Sequence, residues 1–331
     1  MKGTSAFGER SSRPHQGRRL RPHPPQGIFI GAIHAACDGT IKHENAHSPP
    51  PEGCKGGLFR IGPAPKAETF RPSREGIFRR DKRLIELKSS HEIEILRECN
   101  QIVAEVLTTL KGLCVPGTTT LELDKVADDL TQKRKARAAF KGYHGFPATL
   151  CTSINEEVVH GIPSKRMLKE GDIVSLDYGV CHRGYYGDAA ITVPVGNIPG
   201  DLEFLLRTTR ECLMLGIQNA FPGNHLSDIS AAIQTHAEIR GFSLVKEFSG
   251  HGVGKSLHEE PAVLNYVANG RGILLKPGLV LAIEPMVTQG TDKVVVLKDG
   301  WTVVTKDRKC AAHFEHSVAI TEDGPEILSL M

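Results

Sequence analysis

Two ten-residue segments of this 331-residue chain carry the same pattern, 107 residues apart. Residues 168–177 and 275–284 both read Leu-Lys-x-Gly, then a run of apolar residues, and then a carboxylate six residues after the glycine. Each segment is typical of a turn that leads into a buried strand. We interpret the repeat as a duplicated half-domain in which Asp177 and Glu284 occupy related positions and converge on one site. The alternative is two unrelated turn–strand units of similar sequence.

Positive charge and turn-forming residues are concentrated in the first quarter of the chain. Residues 1–83 carry a net charge of +9, whereas residues 84–331 carry −6, which gives the formal net charge of +3. The first 83 residues also hold 10 of the 20 prolines and 11 of the 34 glycines. This composition is typical of a disordered or loosely ordered arm. We therefore predict a basic, flexible N-terminal extension over residues 1–83 and a folded domain over residues 84–331.

Three interpretations of the extension remain open. It is an unstructured tail, a segment that binds ribosomal RNA or another polyanion through counterion release, or an organelle transit segment. Four prolines between residues 14 and 25 argue against the amphipathic helix of a mitochondrial presequence.

Hydropathy and cysteine spacing exclude some classes of protein. No run approaches 18 consecutive apolar residues, which excludes a transmembrane helix. The apolar run over residues 27–37 contains His34 and is followed by no cleavage pattern, which argues against a secretory signal. The eight cysteines form no CxxC motif, as expected for reduced thiols in a reducing compartment. A zinc site at Cys37 and Cys54, with histidines nearby, stays open as an alternative.

The periodicity after residue 84 predicts interleaved helices and strands. Ser89 with Glu92, and Thr119 with Glu122, match the capping-box pattern that begins a helix. Two further helices are predicted over residues 201–220 and 227–240. Strands are predicted over residues 148–154, 172–179, 185–193, 243–249, 279–287, 293–304 and 311–320. Because several strands are joined by short turns, we predict an α+β fold with antiparallel pairing rather than a doubly wound sheet.

Two aspartates, Asp177 and Asp188, lie in consecutive apolar strand segments that a short turn connects. A hairpin that turns on His182 and Arg183 places the two carboxylates directly opposite each other, with Cβ atoms about 5 Å apart. Like charges at that distance repel and raise one pKa unless a cation lies between them. We therefore interpret the pair as metal ligands rather than as two solvated turn aspartates.

Three further segments carry side chains typical of a metal site. Residues 249–261 contain three glycines together with His251 and His258, without the context of a phosphate-binding or dinucleotide-binding turn. Glu284 and Glu315 each lie in an apolar strand segment, where a carboxylate is rarely buried unpaired. With the two aspartates, these residues supply four carboxylates and one imidazole. That set suits two divalent ions and is too rich in oxygen for a structural zinc site.

Seven motifs in order closely resemble type I methionine aminopeptidase. They are residues 159–163, 175–179, 187–190, 250–254, 258–261, 282–286 and 314–317. The resemblance covers residues 84–331 and implies the "pita-bread" α+β fold, whose halves are related by a pseudo-twofold axis. Only 31 residues separate Glu284 from Glu315, so the helical insertion of type II enzymes is absent. Prolidase and aminopeptidase P share the ligand pattern but usually carry a large folded N-terminal domain.

The resemblance also implies roles for individual side chains. Asp177 would bind one metal ion, His251 and Glu284 would bind the other, and Asp188 and Glu315 would bridge the two. The metal could be Co, Mn, Fe, Zn or Ni, because all of them accept such ligands.

Further roles concern catalysis and selectivity. Glu284 would carry a proton to the leaving amine, His258 would hydrogen-bond the carbonyl oxygen, and His160 would contact the substrate backbone. Four residues match the apolar pocket that selects methionine: Tyr143, Phe146, Cys151 and Trp301. Phe140 and Leu257 depart from some relatives at positions that line this pocket.

The expected activity is removal of the N-terminal methionine from nascent polypeptides whose second residue is small. We expect a cytoplasmic monomer that does not act on DNA or at a membrane, with ribosome association through the basic extension as a further interpretation. The alternative is an X-Pro aminopeptidase or dipeptidase of the same fold.

Overall fold

The computed structural model describes residues 85–330. The predicted extension over residues 1–83, and the alternative of a zinc site at Cys37 and Cys54, lie outside the described residues. Between residues 85 and 330, no helix combines the length and the apolar character needed to cross a membrane.

Four helices begin close to the predicted positions. They are α1 (Ser90–Leu113), α2 (Thr120–Lys133), α3 (Gly200–Gln218) and α4 (Leu226–Ile239). Both predicted capping boxes are present, with Ser89 and Thr119 as the N-caps of α1 and α2. Each hydroxyl accepts a hydrogen bond from the backbone of the glutamate three residues later, and that glutamate side chain bonds back to the cap. The reciprocal bonds satisfy amide groups that the helix itself leaves free.

The strands pair antiparallel throughout the described residues. In chain order they are β1 (Arg137–Ala138), β2 (Cys151–Ile154), β3 (Glu157–Val159), β4 (Ile173–His182), β5 (Tyr185–Pro194), β6 (Ser243–Leu244), β7 (Gly250–Gly252), β8 (Glu259–Val263), β9 (Val280–Ile283), β10 (Met286–Thr288), β11 (Val294–Val296), β12 (Val303–Thr305), β13 (Ala311–His313), β14 (Glu315–Thr321) and β15 (Gly324–Ile327). The main sheet has the order β1-β4-β5-β14-β9-β7-β8, with β2 on β4 and β15 on β14. The predicted α+β class is thereby confirmed.

Helix α1 packs against the β4–β5 hairpin. Helix α3 packs against α4 and against strands β9, β10, β13 and β14. The core between these layers contains fully buried Leu107 and Leu110 from α1 and Leu205 from α3. Gly187 in β5 allows α1 to come close, because a Cβ atom there would lie 2.9 Å from the backbone carbon of Cys99. The close approach fixes β5 immediately before Asp188.

The repeated segments adopt the same local structure. In each, a lysine carbonyl accepts a hydrogen bond from the amide three residues later, and the intervening glycines, Gly171 and Gly278, have φ of 89° and 92°. This positive φ at the third turn position is favoured by glycine. Strands β4 and β9 begin two residues after these glycines. The repeated sequence therefore corresponds to the same turn–strand unit in each half of the fold.

The register of the β4–β5 hairpin differs from the prediction. Asp177 lies opposite Ala190 and Asp188 lies opposite Gly179, so the two aspartates are diagonal neighbours on one face of the sheet. The turn is centred on Arg183 and Gly184, both with positive φ, as in the two-residue turns that match strand twist. The prediction placed the turn one residue too early because it did not use the preference of Gly184 for positive φ.

Several strands that were predicted as single runs are interrupted. The run over 279–287 breaks at Glu284 and Pro285, and the run over 311–320 breaks at Phe314. Proline lacks the amide hydrogen that a central strand needs, so pairing stops there. On either side of the breaks, β9 pairs with β14 in the main sheet, whereas β10 pairs with β13 in a three-stranded sheet.

Two other predicted strands are shorter than expected. The segment over residues 293–304 forms two strands, β11 and β12, which pair with each other, and β12 also pairs with β3. The segment over residues 243–249 keeps only the short strand β6.

Candidate metal centre and substrate pocket

Five neighbouring strands of the main sheet each contribute one side chain to a single buried cluster. In sheet order, β4, β5, β14, β9 and β7 supply the members of this five-residue cluster: Asp177, Asp188, Glu315, Glu284 and His251. Glu284 is the residue directly after β9, at the break before Pro285. Its carbonyl accepts a hydrogen bond of 2.9 Å from the buried Asn265 amide, which fixes the backbone at this point.

The functional atoms of the cluster lie close together. Asp188, His251 and Glu315 each offer one atom within 4.8 Å of the other two. The His251 Nε2 atom is 3.9 Å from an Asp188 oxygen and 3.6 Å from a Glu284 oxygen. Asp177 belongs to the same electrostatic group, because its pKa responds to the charges of Glu284 and His313. The fold therefore brings together the five side chains that were predicted from the sequence.

Burial raises the pKa of every carboxylate in the cluster. The pKa of Asp177 rises to about 7 and that of Glu284 to about 8, chiefly because of desolvation. The pKa values of Asp188 and Glu315 rise well above the ordinary range, through desolvation and then repulsion from neighbouring carboxylates. Without a compensating cation, these groups would hold protons at neutral pH.

Unpartnered oxygens test whether the cluster suits a metal ion. One oxygen each of Asp177, Asp188 and Glu315 is buried and has no hydrogen-bond partner among residues 85–330. Buried oxygens of this kind are costly unless a donor or a cation satisfies them. Carboxylate oxygens with one imidazole are common ligands of divalent metals. The cluster thus has the donor set and the uncompensated charge of a divalent-metal site.

His251 is held in the form that a metal ligand requires. Its Nδ1 atom lies 2.9 Å from the Gly252 carbonyl oxygen, which can only accept a hydrogen bond. Nδ1 therefore carries the proton, and the free lone pair of Nε2 faces Asp188 and Glu284. Burial lowers the pKa of His251 to about 4, so the ring is neutral at physiological pH.

His313 lies beside the cluster and was not identified from the sequence. It is fully buried on β13, and neither ring nitrogen has a hydrogen-bond partner in the described part of the chain. Its Nε2 atom is 3.5 Å from a Glu284 oxygen. The signal for it was its position two residues before Glu315, since alternate residues of an extended chain point to the same side.

The residues predicted to select methionine form one apolar cluster. Phe140, Phe146, Cys151 and Leu257 are among its buried members, and Tyr143 and Trp301 are among the residues that pack against them. The Phe146 and Trp301 rings meet edge to face with centroids 5.1 Å apart. Cys151 on β2 lies opposite Asp177 on β4, which joins this pocket to the five-residue cluster. Phe140 and Leu257 therefore belong to the same apolar cluster as the residues predicted to select methionine.

Gly179 provides the space for Phe140. A Cβ atom at residue 179 would come within 2.8 Å of the Phe140 ring and 3.1 Å of the Ala139 side chain. The Phe140 ring therefore fits at this place because residue 179 in β4 is a glycine.

Two further histidines line the approach to the cluster. The His258 ring lies against the His251 ring with centroids 4.2 Å apart, and its Nδ1 atom is 2.7 Å from the Tyr143 hydroxyl. His160 has a φ of 60° and meets the Trp301 ring edge to face with centroids 6.3 Å apart. Burial, with the charges of neighbouring histidines, lowers the pKa of His160 to about 4. His258 therefore contacts both the five-residue cluster and the apolar cluster, and His160 contacts the apolar cluster at Trp301.

Comparison with known proteins defines the class to which this fold and cluster belong. Residues 94–322 match metallopeptidase family M24. A prolidase from Pyrococcus furiosus, 22% identical, has a similar fold with a TM-score of 0.58 over 74% of this chain and 65% of its own. The chain belongs to metallopeptidase family M24 and has its pita-bread fold.

Closer relatives narrow the assignment within the family. A methionine aminopeptidase from Clostridium perfringens is 50% identical over 75% of this chain and 100% of its own length. Methionine aminopeptidase 1 from Bacillus subtilis is 51% identical over 74% of this chain and 99% of its own. The crystal structure of a methionine aminopeptidase from Thermotoga maritima matches with a TM-score of 0.74, 44% identity, and coverage of 75% and 100%. Within family M24, the chain is a member of the type I methionine aminopeptidases.

Proposed function

We propose that this chain is a metal-dependent aminopeptidase that removes the initiator methionine from nascent proteins whose second residue is small. The observation that carries the proposal is the five-residue cluster, which brings together side chains from four strands and from the residue directly after a fifth, beside a buried aromatic cluster. The identity of about 50% to methionine aminopeptidases over their whole length supports the same substrate.

The cluster would hold two divalent ions through the side chains of Asp177, Asp188, His251, Glu284 and Glu315. Four carboxylates exceed what a single divalent charge compensates, which supports two ions. When bound, the ions would lower the pKa of a water molecule and polarise the peptide carbonyl. Co, Mn, Fe, Zn and Ni all accept this donor set, and cellular supply decides among them.

The protein side chains position the substrate and move protons. Glu284 would accept a proton from the attacking water and deliver it to the leaving amine, a role open to a carboxylate that a bound cation keeps ionised. His258 donates a hydrogen bond to the carbonyl oxygen and to the oxyanion that replaces it. His160 contacts the substrate backbone beyond the scissile bond. The free α-amino group lies toward the cluster, which restricts cleavage to the first residue.

The apolar pocket would select the methionine side chain. Tyr143, Phe146 and Trp301 present aromatic rings, and Cys151 closes the end near Asp177. A thioether gains about 1 kcal/mol over an alkane from contacts with aromatic rings. Phe140 and Leu257 would give the pocket a different shape from that of some relatives. Neither belongs to the five-residue cluster.

A panel of short peptides tests the proposed function. Met-Ala-Ser, Met-Lys-Ser, Leu-Ala-Ser and Ala-Pro-Ser peptides are incubated with the protein plus Mn²⁺ or Co²⁺, with a chelator control, and analysed by mass spectrometry. We expect metal-dependent loss of methionine from Met-Ala-Ser alone. Cleavage of Ala-Pro-Ser would assign the chain to the X-Pro aminopeptidases, and cleavage that persists with chelator would contradict metal dependence.

We also propose that the basic extension brings the enzyme to the ribosome in the cytoplasm, where the monomer meets nascent chains. Its net charge of +9 supports binding to a polyanion. Deletion of residues 1–83 should reduce co-sedimentation with ribosomes at low salt and leave peptide turnover unchanged. Equal co-sedimentation of the two forms would contradict the tether.

A further inference from the structure

The Tyr143 hydroxyl makes a hydrogen bond to His258, a contact that apolar packing of the ring does not require. Its oxygen lies 2.7 Å from the Nδ1 atom of His258, and the two rings are tilted by 37° with centroids 5.3 Å apart. Tyr143 begins the short 3-10 turn Tyr143–Gly145, whereas His258 lies directly before β8. The bond therefore joins two chain segments that are 115 residues apart.

The direction of this hydrogen bond follows from the chemistry of the two groups. The phenol makes no other side-chain hydrogen bond within residues 85–330, so His258 Nδ1 is the one protein acceptor there within hydrogen-bond distance of its proton. Burial raises the pKa of Tyr143, which keeps that proton on the oxygen. When the phenol donates to Nδ1, a neutral imidazole carries its own proton on Nε2.

The alternative arrangement would remove the donor that the reaction needs. If Nδ1 carried the proton, Tyr143 would accept it, and Nε2 would present a lone pair rather than a hydrogen. A lone pair cannot stabilise the negative charge that develops on a carbonyl oxygen. The tautomer of His258 therefore determines whether the ring assists the reaction.

We propose that Tyr143 is a positioning residue that holds His258 in the tautomer with the proton on Nε2, aimed at the substrate carbonyl. This inference rests on the proposed function for the role of His258. Because the Tyr143 ring is also part of the methionine pocket, the residue that contacts the substrate side chain orients the group that contacts the scissile carbonyl. Selectivity and catalysis thereby share one side chain.

Substitution of Tyr143 by phenylalanine separates the two roles, because it removes the hydroxyl and keeps the ring. For Tyr143→Phe we expect a loss of about tenfold or more in kcat on a Met-Ala-Ser peptide, with KM within about twofold of the wild type. The control is Tyr266→Phe, which removes a hydroxyl from a half-buried ring that faces Lys246, and it should retain wild-type kcat. A Tyr143→Phe enzyme with wild-type kcat would overturn the proposal.

Nitrogen-15 NMR of the imidazole rings tests the tautomer without substrate. In the Zn²⁺-loaded, diamagnetic protein, His258 should show a protonated Nε2 and an unprotonated Nδ1, with His258→Gln identifying its resonances. Tyr143→Phe should shift these resonances toward a mixture of the two tautomers. A wild-type ring protonated on Nδ1 would overturn the proposal. A protein that shows the expected tautomer and releases no methionine would instead contradict the proposed function.

Discussion

At the scale of single residues, the structure concentrates negative charge where water is excluded. Asp188 and Glu315 are both buried, and Asp177 and Glu284 titrate with them. An isolated ionised carboxylate is costly in such surroundings, so either protons or cations must compensate the charge. The folded cluster therefore requires bound protons or cations to offset the charge of its carboxylates.

Asp188 provides the direct test of a ligand role. Asp188→Asn keeps the shape of the side chain and removes its charge, so divalent-metal affinity and kcat/KM should each fall by at least about 100-fold. Asp323→Asn, on an exposed turn, is the matched control and should leave both unchanged. Isothermal titration with Mn²⁺ and peptide kinetics measure the two effects. Unaltered metal affinity of Asp188→Asn would contradict its assignment as a ligand.

His313 is expected to orient Glu284. Its Nε2 atom is 3.5 Å from Glu284, and partners of this kind change activity or metal affinity by about 10- to 100-fold when they are removed. We expect His313→Leu to lower kcat within that range, and His313→Gln, which keeps a donor, to lose less. Steady-state kinetics on a Met-Ala-Ser peptide measure the kcat of both variants. Equal activities of the two variants would show that the polar contact is unimportant.

At the scale of elements, the segment before α1 holds the loop that carries His258. The Lys88 ammonium lies 2.6 Å from a Glu259 carboxylate oxygen, and both side chains are largely buried. The second Glu259 oxygen accepts a hydrogen bond from the Ser256 amide, which closes the loop. The exposed Lys255 adds one ion pair to Glu86 and one to Glu92. The start of the folded domain therefore supports a loop beside the candidate metal centre.

Loss of Lys88 should destabilise the folded domain. Lys88→Met leaves the Glu259 carboxylate without its buried partner, at a cost of about 3 kcal/mol in the free energy of unfolding. Lys255→Met removes the ion pairs of a lysine that is itself exposed and should cost less than about 1 kcal/mol. Urea unfolding followed by circular dichroism compares them. Equal effects of the two substitutions would show that burial of the Lys88 pair is energetically unimportant.

The elements differ in how far they could be predicted from sequence. Helices α1 and α2 could be located because their capping boxes are local signals, and β4 and β9 because a glycine turn precedes each. The β4–β5 register was wrong, since it depends on which residues of the turn accept positive φ. The breaks beside Glu284 and Phe314 were also missed, because they arise where strands pass between two sheets.

The candidate site was largely predictable because its chemistry is unusual in an apolar context. A carboxylate within an apolar strand such as β14 is conspicuous in the sequence. Because a buried carboxylate needs a compensating charge, four of them together predict a shared cation site. The Tyr143–His258 contact and the position of His313 could not be read in this way. Both depend on tertiary packing between segments that are distant in the chain.

At the scale of the whole molecule, the buried carboxylates couple folding to pH and to metal. In the metal-free protein, Asp177 and Glu284 have pKa values of about 7 and about 8, above their unfolded values. The folded state therefore binds more protons than the unfolded state, and stability falls as pH rises through that range. The buried histidines have the opposite effect on stability. They lower it as pH falls below about 6.5, because they bind protons in the unfolded state before they do so in the folded state.

Thermal unfolding at two pH values measures this coupling. The chelator-treated protein should have a lower Tm at pH 8 than at pH 6.5, and added Mn²⁺ should raise Tm more at pH 8, because deprotonated carboxylates bind the ion more tightly. Asp188→Asn should lose most of the response to Mn²⁺. A Tm of the chelated wild type that rises between pH 6.5 and pH 8 would contradict the raised carboxylate pKa values.

The central claim is that five adjacent strands build one centre for two divalent ions, and anomalous diffraction from crystals grown with Mn²⁺ tests it most directly. We expect two anomalous peaks among Asp177, Asp188, His251, Glu284 and Glu315, both lost after chelation. Metal-dependent activity in crystals or solution, with anomalous peaks elsewhere in the molecule and none within this cluster, would contradict the account.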